Sequence, residues 1–235
     1  YKLIIKIIIL IIIKNNSEYI KSINLLSKYD KLIINFSSTW SSNYRQLYDY
    51  FKNIYNIACS IDKDIIKPYF QDWSNIPGMA NILVRPKNEK ECAIILKTCF
   101  YCKIPITISA GRTNLTGSAT PNKGVVLSTS LLTTPSIEID YKLKHVKSPV
   151  GIPLEKLRNK ILELSNKKFY YPVDPTSRHD ALVGGTISCN ASGFIPGEKG
   201  ATRYWVKEIR FLLPNGDSIE AQRGQYISKD GFFKL

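Results

Sequence analysis

Histidine is scarce in this 235-residue chain, which has only His145 and His179. The one close cysteine pair, Cys99-Phe-Tyr-Cys102, has the spacing of a zinc or redox pair, but no second pair follows it and both histidines are distant. It falls near the end of an amphipathic helical pattern, so it reads as two reduced thiols in or near a core, and no metal site is expected. The five cysteines (Cys59, Cys92, Cys99, Cys102, Cys189) are odd in number and unevenly placed. A disulfide framework is therefore not expected. A reducing, cytoplasmic compartment is, with peripheral membrane association as the alternative. No apolar run is long enough to cross a bilayer. Leu3-Ile-Ile-Lys-Ile-Ile-Ile-Leu-Ile-Ile-Ile13 is short and broken by Lys6, where a span needs about 20 residues. Lys14-Asn-Asn16 follows it in place of a small-residue cleavage site, so it reads as a buried or aggregation-prone β stretch. The first residue is Tyr rather than Met, and the natural start is expected upstream. Two nucleotide motifs are missing as well. No Gly-Lys-Ser/Thr occurs and no Gly-x-Gly-x-x-Gly opens a helix, which excludes a Walker loop and a Rossmann fingerprint.

The formal charge of +14 has no long basic block behind it. Residues 1–75 carry 10 Lys/Arg against 6 Asp/Glu and the remainder carries 23 against 13, so the excess is spread along the chain. Heavy use of Ile, Lys and Asn points to a compositional background, as from an AT-rich genome, that can help recruit an anion. Apolar and aromatic fractions of 44% and 11% are those of a globular protein of one large or two small domains.

Residues 1–60 carry little functional signal. Tyr44–Ala58 reads as one amphipathic helix through Leu47, Phe51, Ile54 and Ala58, with its tyrosines in packing roles. Ile82-Leu-Val84 reads as a strand. Asn88 then caps a helix, with Glu91 as its capping-box partner and Ala93, Ile94, Leu96 and Phe100 toward a core. Strands are expected at 104–108, 124–128 and 144–147. A helix opens at Pro153 with Leu154, Leu157, Ile161 and Leu164 on one face. Val206–Leu213 and Ser218–Ala221 form a hairpin about Pro214-Asn-Gly-Asp217. Strands and helices alternate without regular βαβ spacing, so the fold class is α+β.

Two glycine-bearing segments carry the chemistry. In the first, Ser109-Ala-Gly-Arg-Thr-Asn-Leu-Thr-Gly-Ser118, Gly111 and Gly117 are expected to free the backbone so that amides converge on an anion. Thr113, Asn114 and Ser118 offer hydroxyl and amide donors, and Arg112 a bidentate cation. An ordinary turn between two strands explains the same composition equally well. The second runs from Tyr171 to Gly193, with Asp174-Pro-Thr-Ser177 in a rigid turn, then Gly184-Gly-Thr186 and Asn190-Ala-Ser-Gly193. Such a run suits an extended ligand lying along the backbone. The alternative, a long surface loop, has to explain the apolar Ala181, Leu182, Val183 and Ile187. His179 reads as a loop residue, because sequence neighbours such as Ser177, His179 and Asp180 rarely converge into a catalytic group. His145 is a weaker candidate still.

At these residues the chain resembles the flavin-binding domain of the vanillyl-alcohol oxidase, or PCMH-type, superfamily, and within it the D-lactate dehydrogenase and glycolate oxidase subunit group. The resemblance runs over roughly residues 60–235. It covers Tyr69-Phe-Gln-Asp-Trp-Ser74, Arg85-Pro86 with the Asn88 helix, Ser109–Pro121, Tyr171–Gly193, and Gly200–Val206 leading into the hairpin at Asn215-Gly216. It implies a PCMH-type FAD-binding domain of two α+β subdomains over residues 61–235, with an N-terminal segment of unknown role at 1–60. It implies FAD contacts at Ala110, Gly111, Arg112, Thr113, Asn114, Gly117 and Ser118. The same likeness carries contacts to Pro175, Thr176, Ser177, Gly184, Gly185, Thr186, Asn190, Ala191, Ser192 and Gly193. Members with a histidyl-flavin carry His where Arg112 stands, so FAD here is expected to be noncovalent, or at least not linked at that position. The usual Arg-Gly-Gly-Gly-Thr is also altered at Ser109, Ala110 and Arg112. The family continues into a substrate domain bearing the acid/base group, whereas this sequence ends at Leu235. It resembles a protein cut before its catalytic half, and no catalytic residue is expected in it.

The implied activity is hydride transfer from a small 2-hydroxy acid, such as D-lactate or glycolate, to the flavin. The implied electron acceptor is a protein or a quinone, and no nucleic acid is a partner. A flavin-dependent reductase and an alcohol or aldonolactone oxidase use the same domain. A basic nucleic-acid-binding protein and a catalytically silent flavin-binding module are the readings from other classes.

Overall fold

A computed structural model describes residues 8–10 and 29–232. The first half is built on a four-stranded sheet in the order β2 (Ala58–Ser60), β3 (Ile82–Arg85), β5 (Val125–Ser128), β4 (Ile106–Ser109). β3, β5 and β4 are parallel and β2 is antiparallel. Ile82, Leu83, Val84 and Val125, Val126, Leu127 are all buried, as continuous apolar runs in a sheet covered on both faces must be. α1 (29–38), α2 (Tyr44–Asp49) and α4 (Glu89–Tyr101) cover the face of Ile82, Val84, Val125 and Leu127, and α3 (Lys63–Ile66) sets Ile66 on the other face against Leu83 and Val126.

α4 begins as its sequence dictates. Asn88 Oδ1 accepts from the Glu91 amide at 2.9 Å, and Glu91 reaches back to the Lys87 amide at 2.8 Å rather than to that of Asn88. Burial then covers more than one stripe. Cys92, Ile95 and Cys99 join Ala93, Ile94 and Leu96, because the hairpin turn presses on the far side of the helix, where a Cβ on Gly216 would stand 2.9 Å from Ala93 O. Phe100, expected in the core, is 55% exposed in the last turn. The helix expected over 44–58 is shorter. A wide i→i+5 turn at Tyr50–Ile54 rotates Ile54 out to 56% exposure, Asn56 adopts φ 53°, and Ala58 starts β2. Leu47 and Phe51 are buried as expected, and Phe36 stacks on Tyr50 at 3.8 Å.

In the second half, α5 (Leu154–Leu164) buries Leu154, Leu157 and Ile161 with Ile152 and Val183, while Leu164 stays exposed at its end. The hairpin β6 (Glu138–Asp140) and β7 (His145–Lys147) covers that cluster through Ile139 and Val146. An antiparallel sheet places β8 (Glu208–Leu212) between β9 (Ser218–Gln222) and β1 (Ile8–Leu10). The β stretch expected over 3–13 is described only at Ile8–Leu10 and otherwise lies outside the described residues. On β8, the buried Arg210 pairs with Glu89 at 3.0 Å and Glu220 at 3.4 Å. The architecture is α+β in two halves whose main clusters both take Ile187, with a smaller cluster of Ile66, Leu83 and Val126 on the first sheet. Among the described residues all five cysteines are free thiols, and no helix is long and apolar enough to cross a membrane. Burial pushes the Cys102 thiol up to about 11, which makes it a poor nucleophile at neutral pH.

Candidate functional site

The first glycine segment leaves the carboxyl end of β4, next to that of β5, where parallel sheets hold their ligands. Ser109, Ser128 and Thr129 are buried there, and the Ser109 hydroxyl has no hydrogen-bond partner among the described residues. The segment that follows has an unusual backbone. Among the described residues, no backbone N–H of residues 111–118 donates to another group of the chain, whereas those of Ala119 and Thr120 both do. A run of neighbouring amides left unpaired is an anion receptor.

Gly117 has φ +70°, as its expected freedom requires, but Gly111 does not adopt a left-handed conformation; Arg112 does, at φ 57°. Gly111 is needed for a different reason. A Cβ there would lie 2.1 Å from Asp180 O and 3.0 Å from Ala181 Cα, so the first segment touches the second through its missing side chain. A Cβ on Gly185 would likewise meet Ala110 Cβ at 3.1 Å. The two segments are thus brought together at Ala110–Gly111 and Asp180–Gly185. The Arg112 guanidinium lies 4.5 Å above the Tyr69 ring and has no carboxylate partner among the described residues.

A third stretch joins them. The Trp73 amide donates to Arg112 O at 3.2 Å. Asp72, only 4% exposed, accepts from the Ser74 amide through Oδ1 at 2.9 Å. Its Oδ2 takes both Asn114 Nδ2 at 2.5 Å and the Ala119 amide at 3.2 Å. Burial by itself raises the Asp72 pKa. The bonds from Ser74, Ala119 and Asn114 outweigh it and hold the carboxyl below its ordinary value. Asn114, expected to offer its amide outward, therefore spends it on Asp72, Thr116 Oγ1 and Ser118 Oγ. Thr113 is half-buried and Ser118 exposed. Partial burial, with the charge of Asp72 second, raises the Cys189 thiol.

The turn of the second segment docks on the start of α5. The Arg178 carbonyl accepts from the Glu155 amide at 3.0 Å, and that of Ala181 from Leu154 at 2.9 Å. Its charges hold it there: Arg158 and Arg178 both bind Asp174 Oδ1, and Arg178 Nε lies 2.9 Å from Glu155 Oε2. Within the turn, Pro175 is buried, Thr176 exposed and Ser177 intermediate, and the Ser177 carbonyl closes it by accepting from Asp180 and Ala181. His179 is exposed on the turn and His145 on β7.

The chain then forms α6 (Val183–Ser188), a helix the glycines conceal in the sequence. Ala181, Leu182 and Val183 are buried and Ile187 is half-buried, so the segment is not a surface loop. Gly184 fits close to Val150, where a Cβ would meet the valine Cβ at 2.9 Å. Thr186 turns its hydroxyl onto Val183 O at 2.8 Å. Asn190, at φ 48°, accepts the Arg203 amide at 2.9 Å, and the Ala191 carbonyl takes both donors of Thr202. Ser192 bridges to Ala201, and Gly193 lies so close to Asp174 that a Cβ would stand 2.1 Å from its carbonyl oxygen. Asp72 escaped the sequence-based set of site residues, although the spacing of Tyr69, Asp72 and Ser74 was its signal.

Comparison with known proteins agrees with this geometry. The family described as FAD binding domain matches residues 80–222. Glycolate oxidase subunit GlcD of Bacillus subtilis is 30% identical over 154 residues, which are 65% of this chain and 32% of that protein. D-lactate dehydrogenase of Anaerostipes hadrus is 28% identical over 186 residues, 78% of this chain and 38% of that protein. The chain thus spans about a third of the length of these curated relatives. Among solved structures, an alkyldihydroxyacetonephosphate synthase superposes with a TM-score of 0.63 at 16% identity, over 75% of this chain and 38% of the other, a likeness of fold. The half-to-half architecture, the loop of unpaired amides and the family match lead to one conclusion: the chain belongs to the FAD binding domain family, of PCMH type, with FAD as its cofactor.

Proposed function

We propose that this chain is the cofactor-holding part of an oxidoreductase that removes a hydride from a small 2-hydroxy acid, with residues 61–235 carrying that role. The observation that carries the reading is the run of amides at 111–118 that the chain leaves unpaired. A pyrophosphate needs such convergent donors. The Arg112 guanidinium beside Tyr69 adds positive charge at the same place. The fit is also one of space, because the glycines at 111 and 185 let the two segments close on each other without side chains between them.

In this reading the amides of Gly111–Ser118, with Ala110 and the Thr113 hydroxyl, hold the pyrophosphate. Pro175, Thr176, Ser177, Gly184, Gly185 and Ser192 line the rest of the cofactor. Asn114, Thr186, Asn190, Ala191 and Gly193 have their polar groups or their space committed within the protein, so they shape the wall rather than donate. FAD supplies the hydride-accepting chemistry when bound, while the protein contributes grip, orientation and exclusion of water. Arg112 stands where a histidyl link would form, and a guanidinium is no nucleophile at neutral pH, so the cofactor is held without that bond. The N-terminal stretch 29–60 supports the domain by packing on its first sheet.

The substrate class is drawn from the two relatives named as acting on D-lactate and glycolate. Turnover of a panel of 2-hydroxy acids by the full-length natural protein, with a dye as electron acceptor, tests it. Reduction of the dye by one or more of these acids is the expected result. Bound flavin that no acid reduces would overturn the substrate class and leave the cofactor reading standing.

A further inference from the structure

Asp72 is a buried carboxylate to which neither the family likeness nor the proposed chemistry gives a task. Three roles can be weighed for it. A proton-transfer group needs a free oxygen and access, whereas both of its oxygens are engaged and the side chain is buried. A metal ligand needs companions, and among the described residues no group of three or more His, Cys, Asp or Glu could hold an ion. Filling the core needs no charge, and burying a carboxylate is costly unless something requires it.

What requires it here is the meeting of two donors on one oxygen. Asn114 Nδ2 and the Ala119 amide both point at Oδ2, and only an acceptor-only group can satisfy the pair while its other oxygen takes the Ser74 amide. Those two donors flank the stretch 115–118, and the Trp73 amide grips Arg112 O on its other side. The loop is therefore pinned at 112, 114 and 119 by one short stretch of chain. The pins leave its own amides unspent.

We propose that Asp72 is a positioning residue for the FAD site: by gathering Asn114 and Ala119 on one carboxylate oxygen it holds the 111–118 amides in the array that receives the pyrophosphate. The inference rests on the FAD reading above. It has a sign that electrostatics alone cannot mimic. A negative charge behind an anion site opposes binding, so if charge were what mattered, Asp72→Asn would tighten FAD. In the positioning role the same change turns an N–H₂ toward donors and loosens it.

The test is titration of the purified protein with FAD, followed by quenching of flavin fluorescence. Asp72→Asn is expected to weaken binding by about 10- to 100-fold. Asn114→Ala, at the more exposed end of the same bond, is expected to weaken it by a smaller factor with the fold intact by circular dichroism. It decides the matter if Asp72→Asn does not fold. Exchanging the pair, Asp72→Asn with Asn114→Asp, re-forms one bond but still turns an N–H₂ toward the Ala119 amide, so FAD binding is expected to stay weak even where circular dichroism and the urea midpoint return to wild type, a split that a merely structural role would not produce. Unchanged or tighter binding in the variants, beside a wild type that binds FAD, overturns the proposal alone. A folded wild type that binds no FAD overturns the cofactor reading and the proposal with it.

Discussion

Two glycines in the same loop answer to different constraints. Gly117 sits at φ +70°, and an alanine there would meet only the movable Ile76 Cδ1 at 2.8 Å. Gly111→Ala would drive a Cβ into the Asp180 carbonyl, with backbone on both sides and nothing free to rotate away. Gly117→Ala should therefore cost about 1 kcal/mol of stability. Gly111→Ala should cost about 2 kcal/mol or more and weaken FAD, measured by urea unfolding and flavin titration. Asp72 adds a pH signature. Its folded pKa lies below the ordinary carboxylate value, so its contribution is complete above the unfolded value of about 3.9 and is lost as pH falls through the folded one. The stability gap between wild type and Asp72→Asn should accordingly be full near neutral pH and close under acid. At this scale the sequence disclosed residue types and spacing. It could not reveal that Gly111 meets Asp180, or that Asn114 faces inward, because those facts depend on chain far away in sequence.

Elements were legible where local chemistry and burial agree. α4 announced itself through the Asn88 cap and α5 through its apolar face, and the Asn215-Gly216 turn marked the β8–β9 hairpin. Three others were not legible. α6 contains Gly184 and Gly185, poor helix formers that tertiary bonds from Val183 to Ile152 O and from Gly184 to Val150 O overrule. β6 is three residues with one inward side chain, too short for any periodicity to register. The helix from Tyr44 was overextended because a wide turn leaves no mark in the apolar spacing. Between elements, the buried Arg210 ties β8 to α4 and β9 through Glu89 and Glu220. Arg210→Leu strands the Glu89 carboxylate, whose pKa burial already raises, and should cost about 3 kcal/mol in chemical unfolding. A loss below about 0.5 kcal/mol would mean the pair is no better than a surface bridge.

At the scale of the molecule the two larger hydrophobic clusters join at Ile187, a smaller one of Ile66, Leu83 and Val126 lies on the first sheet, and the glycine segments meet at Gly111 and Gly185. The first cluster also takes Phe36, Leu47, Phe51 and Ile57 from the N-terminal stretch that carried so little signal in the sequence. A chain beginning at residue 61 would take Phe36, Leu47, Phe51 and Ile57 out of this cluster and β2 off β3, and should be recovered largely insoluble or with a reduced urea midpoint. An unchanged midpoint would show that residues 29–60 are only an appendage. Against this frame the net charge of +14 says little about function. The backbone amides of one loop say more. The central claim is that these amides hold FAD, and the visible spectrum of the purified protein after incubation with FAD and gel filtration tests it most directly. Flavin bands that travel with the protein, and are lost when Gly111 and Gly185 are replaced by bulky residues, are the predicted result; a folded protein that emerges colourless would contradict it.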